Sequence, residues 1–174
     1  MRRWFLAAAA ALLLSACAAP TVDDYQAEKP VLDLKTYFNG DLTAHGIFTD
    51  RSGKVARRFT VAMTGTWNGN QGVLDERFTY SDGTTERRVW RLTDHGGGRY
   101  TGRADDVVGE ATGVAAGNAL NWRYTLSLPV DGKVYEVQFD DWMYQMDERV
   151  MLNKAAMSKF GIFLGEVTLA FTKP

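Results

Sequence analysis

The sequence predicts an all-β fold, an antiparallel up-and-down β-barrel of about nine or ten strands. Three observations favour it: short runs alternate between apolar and polar residues, glycine-containing turns separate these runs, and neighbouring runs are close enough along the chain to pair as hairpins. A meander of this length leaves two unpaired edge strands. Pairing the first strand with the last removes both edges, so a closed barrel is the simplest arrangement.

The first residues resemble the signal peptide of a bacterial lipoprotein. Arg2 and Arg3 precede an apolar run that is shorter than the about 20 residues of a membrane-spanning helix. The run ends in Leu14-Ser15-Ala16-Cys17, which resembles the lipobox, in which the thiol is acylated before cleavage. We therefore expect residues 1–16 to be removed and Cys17 to carry the lipid. The paired arginines leave both the general secretory and the twin-arginine export routes open.

The residue after Cys17 bears on the destination. Ala18 is not the aspartate that commonly retains lipoproteins at the inner membrane. In a cell with two membranes, the sequence thus predicts an outer-membrane lipoprotein that faces the periplasm. Residues 17–30 contain Pro20 and Pro30 and few large apolar residues, which predicts a flexible tether. Residues 31–174 then form a single barrel domain.

Composition excludes several classes of protein. The chain has 20 Lys and Arg against 21 Asp and Glu, and loss of Arg2 and Arg3 with the signal makes the mature protein slightly acidic, which argues against a nucleic-acid partner. Cys17 is the only cysteine, and the anchor uses it. Disulfides, thiol redox chemistry and cysteine-based zinc sites are therefore not expected.

The clearest strand is residues 120–128, where apolar and polar residues alternate. This alternation predicts one buried face and one solvent-exposed face. Eight further runs fit the same pattern: residues 42–48, 55–67, 73–80, 84–92, 100–106, 110–116, 134–144 and 167–171. Residues 153–161 fit either a short helix or a strand. We expect a short helical turn there, before the last strand.

The hairpin at Ser81-Asp82-Gly83 allows its register to be predicted. A three-residue loop with Gly83 in the left-handed region pairs Leu74 with Trp90 and places Glu76 directly opposite Arg88. Both charges then lie on an otherwise apolar face. Because a buried charge needs a partner, we expect the two to form an ion pair.

This pair suggests the polar part of a ligand site. Glu76 and Arg88 are expected at the floor of an internal cavity, with Arg88 offering its fork of donors to the carboxylate or phosphate head of a lipid. Of two adjacent acids on one strand only one can point inward, and Asp141 is the candidate. The aromatic walls are expected from Trp90, Tyr100, Trp122 and Tyr124. A structural ion pair and an ordinary aromatic core are the alternatives.

No catalytic motif is present in the sequence. Asp140 and Asp141 point to opposite faces, so they cannot converge on one bond as paired catalytic carboxylates do. The two histidines, His45 and His95, give no triad or metal-binding spacing. We therefore predict no catalytic residue, metal or cofactor.

Five motifs along the chain resemble the domain-of-unknown-function 3833 family of bacterial lipoproteins. They are Gly65-Thr66-Trp67-Asn68-Gly69, Phe78-Thr79-Tyr80-Ser81-Asp82-Gly83, Asp106-Val107-Val108-Gly109, Asp140-Asp141-Trp142-Met143 and Lys159-Phe160-Gly161. The resemblance covers the chain from the lipobox to Thr172 and implies a compact β-rich domain. It also implies, for some members, a setting among genes of fatty-acid modification, and it defines no catalytic residue. Gly65-Thr66-Trp67 is in addition similar to a lipocalin motif.

These observations lead to one expected function and two alternatives. We expect a membrane-anchored lipoprotein whose lipocalin-like barrel binds or carries a lipid-like ligand, such as a fatty acid or phospholipid. A filled barrel that serves as an envelope assembly or interaction module is the first alternative, and an enzyme acting on lipids is the second. An internal apolar cavity of at least about 300 Å³ favours ligand binding over the filled module.

Overall fold

The computed structural model describes residues 19–130 and 132–174, which form one closed antiparallel barrel of ten strands. A 3-10 helix, Val22–Tyr25, and a one-turn helix α1, Leu34–Tyr37, precede the barrel. The strands are β1 Gly40–Asp50, β2 Val55–Asn68, β3 Gln71–Tyr80, β4 Thr85–Asp94, β5 Arg99–Arg103, β6 Ala111–Ala116, β7 Ala119–Val130, β8 Lys133–Gln145, β9 Val150–Lys159 and β10 Ile162–Thr172. No helix among the described residues is long and apolar enough to cross a membrane.

The ring closes between the first and last strands. Each strand pairs with its neighbour in sequence, and β1 also pairs with β10 from Thr43 opposite Thr172 to Asp50 opposite Gly165. Every strand thus has a partner on both sides, which removes the edges of the sheet. The predicted all-β, up-and-down barrel is confirmed.

The register predicted at the β3–β4 hairpin is also confirmed. Glu76 lies opposite Arg88 and Leu74 opposite Trp90. Gly83 closes the loop with φ of +83° and donates its N–H to the carbonyl of Tyr80 at 2.9 Å. The residues of the loop alone were therefore sufficient to predict how β3 pairs with β4.

One detail of the predicted fold is wrong. Residues 153–161 were expected to contain a short helical turn, but they lie in strand β9 and the turn that follows it. Met151, Asn153 and Ala155 point inward in alternation and are buried. The strand is held by β8 on one side and β10 on the other, and these two ladders outweigh the helical preference of a segment rich in Ala, Lys and Met.

Helix α1 closes one end of the barrel. Asp33 begins it by accepting the backbone N–H of Thr36 at 2.8 Å, as an N-terminal cap does. Leu34 and Phe38 are buried in the core of the barrel. The Tyr37 hydroxyl donates to the carbonyl of Arg149 at 3.1 Å, which fixes the helix to the β8–β9 connection. We call this end, with the β2–β3, β4–β5, β6–β7 and β8–β9 connections, the closed end.

The segment before α1 is less free than the sequence predicts. Residues 17–30 were expected to form a flexible tether, but Tyr25 packs edge-on against Tyr144 with ring centroids 5.3 Å apart. Leu32 donates its N–H to the carbonyl of Gly117 at 2.8 Å. Residues 22–32 thus lie along the closed end of the barrel.

The Gly65-Thr66-Trp67 motif holds the closing segment in place. The Trp67 indole N–H donates to the carbonyl of Phe38 at 3.1 Å. A Cβ atom on Gly65 would lie 1.9 Å from that carbonyl oxygen, so the position admits no side chain. Both residues therefore accommodate the Phe38 carbonyl. Gly65 leaves room for it, and Trp67 donates a hydrogen bond to it.

This contact predicts the effect of Gly65→Ala. The added methyl group must displace the Phe38 carbonyl and loosen α1, which we expect to lower the free energy of unfolding by about 1–3 kcal/mol, the usual cost of overpacking. Denaturant unfolding measures this loss. Thr66→Ala, on the exposed neighbouring position, is the control and should cost less. Equal stability of Gly65→Ala and the wild-type protein would contradict the close approach.

Candidate functional site

The interior of the barrel contains a cavity of about 590 Å³. It extends from Leu34 and Phe38 at the closed end to Pro129 and Val130 at the other end, where both side chains are exposed. We call the latter the open end; it carries the β1–β2, β3–β4, β5–β6, β7–β8 and β9–β10 connections. Most of the lining is apolar. The polar side chains of the lining are Arg57, Glu76, Tyr80, Glu86, Arg88, Tyr124, Asp141 and Asn153.

Aromatic rings form the wall beside these polar groups. Trp90 packs edge-on against Trp122 and Tyr124, with ring centroids 5.7 Å and 5.4 Å apart. Tyr124 stacks on Phe139 at 4.8 Å. The structure brings these three predicted wall residues together, but buried Tyr100 does not line the cavity.

Arg88 makes its strongest contacts outside the predicted pair. Its Nε and Nη2 atoms lie 2.8 Å and 2.7 Å from the carboxylate of Asp106, which the β5–β6 connection carries. The Glu76 carboxylate is 3.9 Å from Nη1, and that of Glu86 is 3.7 Å from Nη2. Arg88 thus faces three carboxylates, and its donor fork is directed mainly at Asp106.

Glu76 is consequently an acid with little compensation. It is buried, and its side chain has only the 3.9 Å contact with Arg88 among the described ion pairs. Burial raises the pKa of Glu76 to about 7, because the partial compensation by Arg88 is smaller than the loss of hydration. The Asp106 charge raises it further.

Asp141 and Asn153 form a second polar pair on β8 and β9. Asp141 points inward, is 7% exposed, and accepts a short hydrogen bond from the Asn153 amide. Burial raises the pKa of Asp141 to about 8 against the lowering effect of that bond. Asn153 is 1% exposed, and its Oδ1 accepts no hydrogen bond from the described residues.

Neither the role of Asn153 nor the partnership of Asp106 with Arg88 was predicted from the sequence. Asn153 lay in the segment expected to turn helical, although its alternation with Met151 and Ala155 would have pointed it inward. Asp106 ends the run 100–106 that was predicted as a strand, but it lies in the β5–β6 connection, 18 positions from Arg88. No local pattern indicates that such a connection folds back over the sheet.

One half of the rim at the open end carries most of its exposed apolar side chains. Phe160, at the tip of the β9–β10 hairpin, is 87% exposed with φ of +52°. Other exposed apolar side chains on the three consecutive hairpins of this half are Val55, Val130, Val134, Tyr135, Ile162 and Phe163. The opposite half carries the polar β3–β4 loop and the acidic residues of the β5–β6 connection. The mouth of the cavity is therefore bordered on one side by apolar surface.

Two sequence predictions concern other kinds of site. Cys17 lies outside the described residues. Within residues 19–130 and 132–174, no three His, Cys, Asp or Glu side chains are grouped so that they could hold a metal ion.

The buried acids predict an unusual dependence of stability on pH. The folded protein holds the protons of Glu76 and Asp141 up to about pH 7 and 8, whereas the unfolded chain releases them near pH 4. Stability therefore falls as the pH rises from about 4 to about 8. Carboxyl groups with lowered pKa act in the opposite direction, but only below about pH 4.

Denaturant unfolding between pH 5 and pH 9 measures this slope. Asp141→Asn should flatten it, since the group that binds the proton is gone. Asp140→Asn makes the same exchange on the outer face of the same strand and should change the slope less, since it removes only a neighbouring charge. A slope that Asp141→Asn leaves unchanged would contradict the burial of an ionisable Asp141.

Comparison with solved structures supports the architecture. A protein of unknown function from the DUF3598 family of Nostoc punctiforme aligns with a TM-score of 0.57 and 10% sequence identity, over 91% of this chain and 53% of that one. This likeness concerns the fold alone, and the chain spans about half the length of that protein. No protein in the search of curated sequences matches the chain. The family described as protein of unknown function (DUF3833) matches residues 11–173, and the chain belongs to that family.

Proposed function

We propose that the barrel binds one lipid-like hydrophobic ligand in its interior and exchanges it through the open end. The observation that carries this proposal is the cavity of about 590 Å³ with its mainly apolar lining. Protein interiors are packed nearly as densely as organic crystals and leave few voids larger than a water molecule. Space on this scale is typical of small-molecule sites, which occupy about 300–1,000 Å³.

The border of the mouth supports exchange of an apolar ligand. Phe160, Ile162 and Val134 present apolar surface to solvent beside the entrance. Exposed apolar groups that cluster in this way are typical of contact with another apolar surface. A ligand that leaves the cavity would pass from one apolar environment to the next with little exposure to water.

The volume of the cavity also distinguishes the proposal from one alternative. A non-catalytic interaction module would be expected to have an interior filled with side chains. The open interior therefore favours ligand binding over such a module.

We further propose that acylated Cys17 anchors the protein to the outer membrane, facing the periplasm. Only residues 17–21 precede the 3-10 helix at the closed end, and at about 3.5 Å per residue they reach about 18 Å. An anchor this short would hold the closed end near its membrane. The open end, with its apolar border, would then point away from it.

Cell fractionation tests the anchor. The wild-type protein should be recovered with outer membranes, because the acyl chains of a lipoprotein bind a bilayer far more strongly than one chain does. Cys17→Ser should be recovered in the soluble periplasmic fraction. Wild-type protein in the soluble fraction would contradict the anchor, whereas recovery with inner membranes would contradict only the sorting.

Ligand binding is tested by filling the cavity. Ala155 is 2% exposed and lines the cavity, so Ala155→Phe places a ring in the ligand space. In the delipidated Cys17→Ser protein, we expect this change to weaken binding of a long-chain amphiphile at least tenfold, measured by the emission of Trp90 and Trp122. Ala156→Phe adds the same ring to the outer face and should leave the affinity unchanged.

Two results would contradict the proposal. The first is a wild-type barrel that gives no saturable response to any long-chain amphiphile. The second is equal affinity in Ala155→Phe and Ala156→Phe while both variants unfold cooperatively, since binding would then take place outside the cavity.

A further inference from the structure

We infer that the ligand carries a head group that donates hydrogen bonds, an ammonium or a hydroxyl group, and that Asp141 and Asn153 bind it deep in the barrel. This inference rests on the proposed function, because it assigns the chemistry of the ligand in the same cavity. It differs from the expectation drawn from the sequence, in which Arg88 binds a carboxylate or phosphate.

Arg88 has little to offer an anionic head group. Asp106 already takes its Nε and Nη2 donors at 2.8 Å and 2.7 Å. The Glu76 carboxylate lies 3.9 Å from the remaining nitrogen, Nη1, and the Glu86 carboxylate lies 3.7 Å from Nη2. An anion that approached Arg88 would meet three negative groups around one positive charge, and in an interior of low dielectric this repulsion is strong.

Acceptors, in contrast, are left over in the cavity. The Asn153 amide nitrogen donates to Asp141 and to the carbonyl of Trp142. Asn153 lines the cavity, and its buried Oδ1 accepts nothing from the described part of the chain. Asp141 accepts only from Asn153 among the described side chains, so its second oxygen has no partner there. A buried acceptor without a donor is costly, and a donor on the ligand would satisfy both groups.

The charges that face Asp141 favour a donor as well. Glu76 on β3 and Asp140 on its own strand both act on it as negative charges. Tyr124 on β7 and Arg88 on β4 complete the ionisable groups of the surrounding wall, and Arg88 is neutralised by Asp106. When Glu76 and Asp141 are ionised, this part of the cavity therefore attracts an ammonium group and repels a carboxylate.

The position of the pair fixes the orientation of the ligand. Asp141 lies opposite Trp122 and Ala155, and Phe139 and Met157 follow toward the open end. Both of the latter line the cavity. An alkyl chain from a head group at Asp141 would thus run along apolar side chains to the mouth, as a single-chain amphiphile requires.

Three probes that differ only in the head group test the inference. Dodecylamine, dodecanol and dodecanoate share one chain length, so burial of the chain contributes equally to each. They are titrated into the Cys17→Ser protein, below the concentration at which they aggregate, at about pH 9, where the pKa of Asp141 leaves it ionised. We expect dodecylamine to bind at least tenfold more tightly than dodecanoate, the difference that one charge-assisted hydrogen bond makes.

The alcohol separates the two kinds of donor. Affinity for dodecanol close to that for dodecylamine assigns the site to hydroxyl groups, and lower affinity assigns it to ammonium. Asn153→Ala removes the unpaired acceptor and should weaken both of these ligands without changing the affinity for dodecanoate.

Paired substitutions locate the effect. Asp141→Asn keeps the shape of the side chain and removes its charge, and it should reduce the preference for dodecylamine over dodecanoate to less than threefold. Asp140→Asn on the outer face removes only a neighbouring charge and should reduce the preference less than Asp141→Asn does. A preference that survives Asp141→Asn, or that Asp140→Asn abolishes equally, would overturn the assignment.

The result also separates this inference from the proposed function. Equal binding of the three probes, or tightest binding of dodecanoate, would overturn the donor-binding site while the lipid-binding cavity stands. If none of the three binds, the proposed function itself fails.

Discussion

The pairing of β1 with β10 is the constraint on which the other features depend. A closed ring of ten strands encloses a space that the inward-pointing side chains do not fill completely. One end of that space is occupied by Phe38 and Leu34, and the remainder is the cavity. Without closure, β1 and β10 would expose unpaired backbone groups, and no inward face would be isolated from water.

Burial of the polar groups inside the barrel costs free energy of folding, and the fold does not require these groups. Replacing buried ionic groups with well-packed apolar residues is often neutral or stabilising. Here Glu76 and Asp141 are buried with raised pKa values, and Asn153 has an acceptor without a partner. Such a cluster beside an apolar space is typical of a binding site. Its acceptors are the basis for assigning a donor to the ligand.

The two ends of the barrel differ in structure and in the role that we propose for them. The closed end combines the 3-10 helix, α1 and the Gly65 and Trp67 contacts with Phe38. Among the described residues, none covers the open end in this way, and Phe160 there is exposed to solvent. An N-terminal anchor beside the closed end would leave the open end accessible to the molecule that delivers or receives the ligand. The difference between the two ends therefore agrees with the proposed carrier function.

The sequence alone determined what depends on short-range chemistry. Alternation identified nine of the ten strands, and Gly83 set the register that pairs Glu76 with Arg88, because side-chain alternation and turn geometry are local properties. Only the tertiary structure decided the rest. Strand β9 forms because β8 and β10 flank it, Asp106 reaches Arg88 because a connection folds over the sheet, and the width of the closed ring leaves a cavity. Each of these depends on contacts between residues distant in sequence, which no local pattern encodes.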